Sequence, residues 1–169
     1  MANCCECYPQ EISQQACPVC GTPGFKVKHV TVKSLVAGEK ASKVKEVNYF
    51  LCPNKKCEIV YFSPDDKTYF LKTDLRVRVW LKDDGLDVPL CYCQEVTRKD
   101  ILEALASGCP VDVKAVMECT GAGRGGNCLY RNPTGRCCHP ALEEFIARQK
   151  ESQRETEAAI GWGVSSGGK

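Results

Sequence analysis

Residues 47–62 read VNYFLCPNKKCEIVYF: two apolar, aromatic runs joined by a short polar turn with Cys52 at one end and Cys57 at the other. Aromatic and β-branched residues on both sides of a Pro-Asn-Lys-Lys turn predict an antiparallel hairpin with thiols at its tip. Upstream, Cys17-Pro-Val-Cys20-Gly21 offers a second thiol pair on a turn. Zinc is held by four ligands in a tetrahedron, and two short turns that each supply two sulfurs make the pattern of a closed structural site. Cys17, Cys20, Cys52 and Cys57 are therefore the expected zinc ligands. A site closed by four thiolates leaves no position for water or substrate, so it holds a fold together rather than catalysing.

Working outward, FKVKHVTVKSLV (25–36) and TYFLKTDLRVRVWL (68–81) alternate apolar and polar residues with a period of two, which predicts half-buried strands. Lys26, Lys28, Lys33, Lys40, Lys43 and Lys45 read as the solvated face of such strands. Past Asp83-Asp84-Gly85 and Pro89 the character becomes helical. Thr97 and Asp100 form a capping box ahead of TRKDILEALASG, Pro110 fits the first turn of a second helix in PVDVKAVMEC, and Pro140 opens a third, from His139 to Ile160. The expected fold class is α+β, a small zinc-stabilised β module followed by a short-helix module. The boundaries are 1–14 for a cysteine-rich N-terminal segment, 15–88 for the zinc-binding β module, 89–150 for the helical module, and 151–169 for a helix end and flexible tail.

Fourteen cysteines in 169 residues raise the question of disulfides against metals. The opening MANCCECYPQEISQQ has no apolar core of a signal peptide, and no run approaches the eighteen or so apolar residues of a membrane span. The expected location is the cytoplasm, where thiols stay reduced and clustered cysteines serve metals. A net charge of +2 gives no electrostatic case for a nucleic-acid partner.

The second cysteine set is spaced differently: Cys91-Tyr-Cys93, then Cys128 after the loop Thr120–Gly126, then the vicinal Cys137-Cys138. No common zinc motif has that form, whereas a 2Fe-2S cluster needs four thiolates, two per iron. Loops ahead of helix N-termini favour a negatively charged thiolate-ligated cluster, and glycines let backbone N–H groups approach its sulfurs. Gly121-x-Gly123-x-x-Gly126 formally matches a dinucleotide fingerprint but follows a helix instead of a strand. A Rieske centre would need two neighbouring histidines, and the chain has only His29 and His139, in different modules.

The stretches CYCQEVTRKDI, TGAGRGGNC and NPTGRCCHPALEEF, spanning 91–145, resemble the N-terminal iron–sulfur domain of CopZ-type copper chaperones and, more distantly, the BFD-like 2Fe-2S domain. The upstream cysteine pairs and the hairpin resemble the zinc-binding portion of the same domain, so the likeness covers roughly 15–148. It implies Cys91, Cys93, Cys128 and Cys138 as cluster ligands, with Cys137 the neighbour that could exchange with Cys138. It also puts Cys119 where the family pattern has an aliphatic residue, so burial as a small hydrophobe is expected there; Cys109 is read in the same bland way. CopZ-type proteins continue into a heavy-metal-associated domain with a copper-carrying C-x-x-C loop, which is lacking here, and this shifts the expectation from copper carriage toward electron supply. The extra Cys4-Cys5-Glu6-Cys7 group could bind Cu(I) through soft thiolates.

The expected function is thus electron transfer and metal handling, copper foremost, with a 2Fe-2S cluster and zinc as cofactors and Cu(I) as a further candidate. The expected partner is a redox protein or a copper-transport protein. One alternative is a non-redox interaction scaffold in which both cysteine sets hold zinc. Another is a thiol–disulfide oxidoreductase using Cys17 and Cys20, which lacks the following helix such a motif needs. No spacing suggests a conventional catalytic site.

Overall fold

The hairpin forms as the sequence predicts. In the computed structural model, which describes residues 12–161, β3 (Tyr49–Leu51) and β4 (Ile59–Phe62) pair antiparallel, Phe50 facing Phe62 and Leu51 facing Tyr61. With β1 (Ile12–Ala16), β2 (Pro23–Val27) and β5 (Tyr69–Leu71) they make an antiparallel meander in the order β1-β2-β3-β4-β5. Every residue of β3 and β4 is buried, because each face of the sheet has its own core. Tyr49, Leu51, Val60 and Tyr61 pack with Val32, Val36 and Phe70 on one side, while Phe50, Cys52, Cys57, Ile59 and Phe62 pack around Cys17 on the other. An irregularity between Ile59 and Tyr61 lets the consecutive Val60 and Tyr61 serve the same core. Gly24 on β2 admits the Phe50–Phe62 ring pair, since a Cβ there would lie 2.9 Å from atoms of both residues.

Two expected strands are corrected. Residues His29–Leu35 form a helix, α1, despite the alternating valines. Its buried residues Thr31, Val32 and Leu35, followed by Val36, have helical spacing, and their burial overrides the β-preference of Val and Thr. The strand expected across 68–81 stops at Leu71. Asp74 ends it: its carboxylate takes the Leu71 N–H at 2.9 Å and the Lys40 ammonium at 2.5 Å, closing a 3-10 turn over Lys72–Asp74. The chain beyond pairs back to the end of α1, Arg76 N–H donating to Leu35 O at 2.8 Å.

The second half starts with a two-stranded ribbon, β6 (Pro89–Cys91) and β7 (Val96–Thr97), followed by four helices. The capping box predicted at Thr97 and Asp100 is present and opens α2 (Arg98–Ala106). The next helix, α3 (Val113–Thr120), starts later than Pro110, because the Asp112 carboxylate accepts the Lys114 and Ala115 N–H groups and becomes the N-cap. A short α4 (Cys128–Arg131), for which the sequence offers no periodicity, precedes α5 (His139–Gly161). Leu90, Ile101, Val116, Leu142 and Ile146 form the core of this half, with Cys91 and Cys138 in it. Among the described residues no helix is long and apolar enough to cross a membrane. The segments 1–11 and 162–169, with the N-terminal cysteine group and most of the expected tail, lie outside the described residues.

The halves are fastened by buried and part-buried hydrogen bonds. The Thr31 hydroxyl donates to Leu129 O and the Tyr61 hydroxyl to Pro133 O, both at 2.6 Å. From the second half to the connecting segment, Tyr92 Oη donates to Arg78 O at 2.6 Å, and the buried Arg98 guanidinium donates to the carbonyls of Trp80 and Asp83. Deleting one such donor strands a buried carbonyl, at a cost of about 1–3 kcal/mol. Tyr61→Phe is accordingly expected to lower the stability of the metal-loaded protein by that amount in urea denaturation; an unchanged midpoint would show that the Pro133 carbonyl has another partner.

Candidate metal centres

The turn between β1 and β2 and the turn between β3 and β4 meet at one end of the sheet. Each is built locally. Gly21 N–H donates to Cys17 O at 2.9 Å with Gly21 at φ +70°, a conformation few L-residues adopt, and Cys57 N–H donates to Asn54 O at 3.1 Å. All four sulfurs of Cys17, Cys20, Cys52 and Cys57 lie within 4.8 Å of one another. The pairs Cys17–Cys57 and Cys20–Cys52 stand 3.9 and 3.5 Å apart. A zinc ion with bonds of about 2.3 Å to four sulfurs at tetrahedral angles requires edges of about 3.8 Å, so the donor set fits.

The electrostatics also call for a cation. The Thr22 hydroxyl beside Cys20 holds that thiol down to about 6, against the effect of burial and with help from the Thr22 N–H. Burial pushes Cys52 up to about 12 and raises Cys57 as well. Without a metal Cys52 and Cys57 therefore keep their protons, and zinc binding would expel them. One charged side chain not singled out in the sequence faces this site. Lys82 is 5% exposed, and its ammonium donates to Asn54 O at 2.7 Å and Cys57 O at 3.2 Å. It lowers Cys52 electrostatically and offers a positive charge to a zinc–tetrathiolate site of net negative charge. In sequence it sits in an ordinary charged run, Leu81-Lys82-Asp83-Asp84, with no spacing to mark it.

The second set comes from four elements. Cys91 ends β6, Cys93 lies in the turn after it, Cys128 begins α4, and Cys138 directly precedes α5. These sulfurs gather in pairs. Cys93 and Cys128 are 3.6 Å apart, and Cys138 hydrogen-bonds to Cys91. The Cys138 contact, with N–H donation from Gly123, Gln94 and Cys93, holds Cys91 down to about 6 in spite of its burial. Cys137 hydrogen-bonds to both Cys128 and Cys138, and that contact, reinforced by burial, raises both thiols. Among the described residues no second group of three or more Cys, His, Asp or Glu side chains converges within 4.8 Å.

The glycine loop closes over the second set. Gly123 N–H donates to Cys91 Sγ at 3.3 Å. A Cβ on Gly125 would come within 2.4 Å of the Cys93 Cβ, so the loop can lie against Cys93 only as glycine. Cys109 and Cys119 depart from expectation. They are joined in a disulfide, Cα to Cα 6.6 Å, and Cys119 is exposed instead of buried. Sequence spacing could not show this, because the end of α2 and the last turn of α3 meet only once the two helices pack together.

Substituting Lys82 tests its role at the first site without touching a ligand. Lys82→Met is expected to weaken zinc affinity about 10- to 100-fold, the usual effect of removing an outer partner of a metal site, measured by competition with a chromogenic chelator. Unchanged affinity would show that Lys82 serves the fold alone.

Residues 14–76 match the family model described as a zinc binding domain, zf_CopZ. Over 147 residues the chain is 38% identical to the copper chaperone CopZ of Archaeoglobus fulgidus, an overlap that takes in 85% of this chain and 69% of that protein. The crystal structure of the N-terminal domain of that CopZ aligns with a TM-score of 0.67 at 39% identity, covering 77% of this chain and 96% of the domain.

Proposed function

The chain belongs to the CopZ family, and from that premise we propose that it is a cytoplasmic metal-handling protein with a structural zinc and a 2Fe-2S cluster. In this reading it passes single electrons to copper or to a redox partner. The observation that carries the proposal is the pairwise gathering of the second set, Cys91 with Cys138 and Cys93 with Cys128. Two pairs suit two irons, two thiolates to each, whereas a second structural zinc needs one tetrahedral group. When bound, the cluster would supply one-electron chemistry that zinc cannot.

The chain's own residues prepare that site. Cys91 and Cys138 are almost fully buried, which excludes water from one pair. The Gly123 N–H aimed at Cys91 Sγ stabilises negative charge on that sulfur and so favours the reduced state. Beside the loop, an open groove of about 570 Å³ lined by Met117, Ala122, Gly123, Cys137 and His139 gives an acceptor an approach. Soft donors along it, a thioether and a thiol, suit copper better than hard cations. The partner that fits is a copper-transport protein or an electron carrier.

Metal analysis and electron paramagnetic resonance of anaerobically purified protein test the reading. The parent is expected to hold about two irons and one zinc per chain and to give a signal on reduction. Cys91→Ala and Cys138→Ala should lose iron and keep zinc, while Cys137→Ala keeps both. A colourless parent with about two zinc ions and no reducible signal would contradict the proposal.

A further inference from the structure

The Cys109–Cys119 bridge stands apart from both metal sites. The nine other cysteines of the described residues are in no disulfide. Cys109 follows Gly108 at the end of α2, its N–H donating to Ala104 O at 3.0 Å, and is half-buried against the second core. Cys119 lies in the last turn of α3 and is exposed. Immediately beyond it, Gly121 caps α3 in the left-handed conformation, and two residues later Gly123 donates its N–H to Cys91 Sγ. The bridge thus ties the segment that launches the glycine loop to the neighbouring helix.

We propose that Cys109 and Cys119 form a reversible thiol–disulfide modification site, exchanged with small thiols of the glutathione class, whose closed form holds the Gly121–Gly126 loop against Cys91. In the opening direction a small thiolate attacks the exposed Cys119 sulfur. The Cys109–Cys119 bond breaks, a mixed disulfide forms on Cys119, and Cys109 leaves as a thiolate that takes a proton. A second small thiolate attacks the sulfur of the small thiol in that mixed disulfide. Cys119 is released, takes a proton, and the small-molecule disulfide departs. Two small thiols are oxidised, and the two protein sulfurs are reduced. An exposed disulfide is open to such exchange, whereas the buried zinc ligands are shielded from it.

The exchange stands on the bridge itself; only its consequence for the cluster rests on the function proposed above. The experiment therefore reads protein chemistry first. The full chain, purified anaerobically with its metals, is equilibrated in reduced and oxidised glutathione at graded ratios, quenched by alkylation and mapped by peptide mass. Hydrogen exchange of peptides covering 120–126 is followed in the same samples. The expected result is interconversion of the Cys109–Cys119 link within the glutathione series, with exchange of the loop rising severalfold as the link opens. The double variant Cys109→Ser, Cys119→Ser should show the fast loop exchange at every ratio. A link that never forms, one that persists in fully reduced glutathione, or loop exchange that ignores the state of the link would each overturn the proposal. If the loop responds while the protein holds no iron, the electron-transfer reading fails and the modification site stands.

Discussion

Four sulfurs within 4.8 Å of one another, three of them buried, impose the condition on which the rest of the molecule depends. Either a cation sits among them and joins the two turns, or the buried Cys52 and Cys57 keep their protons and nothing links the turns. A sheet of short strands, two of them three residues long, is marginal by itself. Pinning the β1–β2 and β3–β4 turns together at one point closes the Phe50–Phe62 core and holds the meander in register. The four cysteines are core residues as much as candidate ligands.

From that anchor a chain of contacts runs to the second cysteine set. Lys82 reaches back from the connecting segment to the carbonyls of the Cys52–Cys57 turn, while Arg98 and Tyr92 hold the same segment to the helical half. Tyr61, in the core on one face of the sheet, bonds to Pro133 in the loop leading to Cys137 and Cys138. Thr31 does the same for Leu129, next to Cys128. A structural metal in one half thereby fixes the positions of thiols in the other. This gives a physical reason for the two cysteine sets to share one chain, since thiols that come from four separate elements need a rigid frame to meet.

What could be read from the sequence was local. The Cys52–Cys57 hairpin, the Thr97–Asp100 capping box and the zinc quartet all rest on turn and cap chemistry spanning a few residues, and all are present. The α1 segment reads as a strand because its valines alternate, while its buried face is set by packing against elements far away in sequence. The alternation continues past Leu71 where the strand does not, because one carboxylate, Asp74, captures the backbone that would have continued it. Lys82 and the Cys109–Cys119 bridge carry no signature in spacing; each exists only through a tertiary approach. The pairing within the second set was equally hidden, because sequence order does not say which two thiols will meet.

X-ray absorption at the zinc and iron edges of the same anaerobic sample tests the central claim most directly. The account predicts zinc surrounded by four sulfurs at about 2.3 Å, and iron with a sulfur-only first shell and a single iron neighbour. Nitrogen or oxygen in the zinc shell, or zinc occupying both cysteine sets with no iron edge above background, would contradict it.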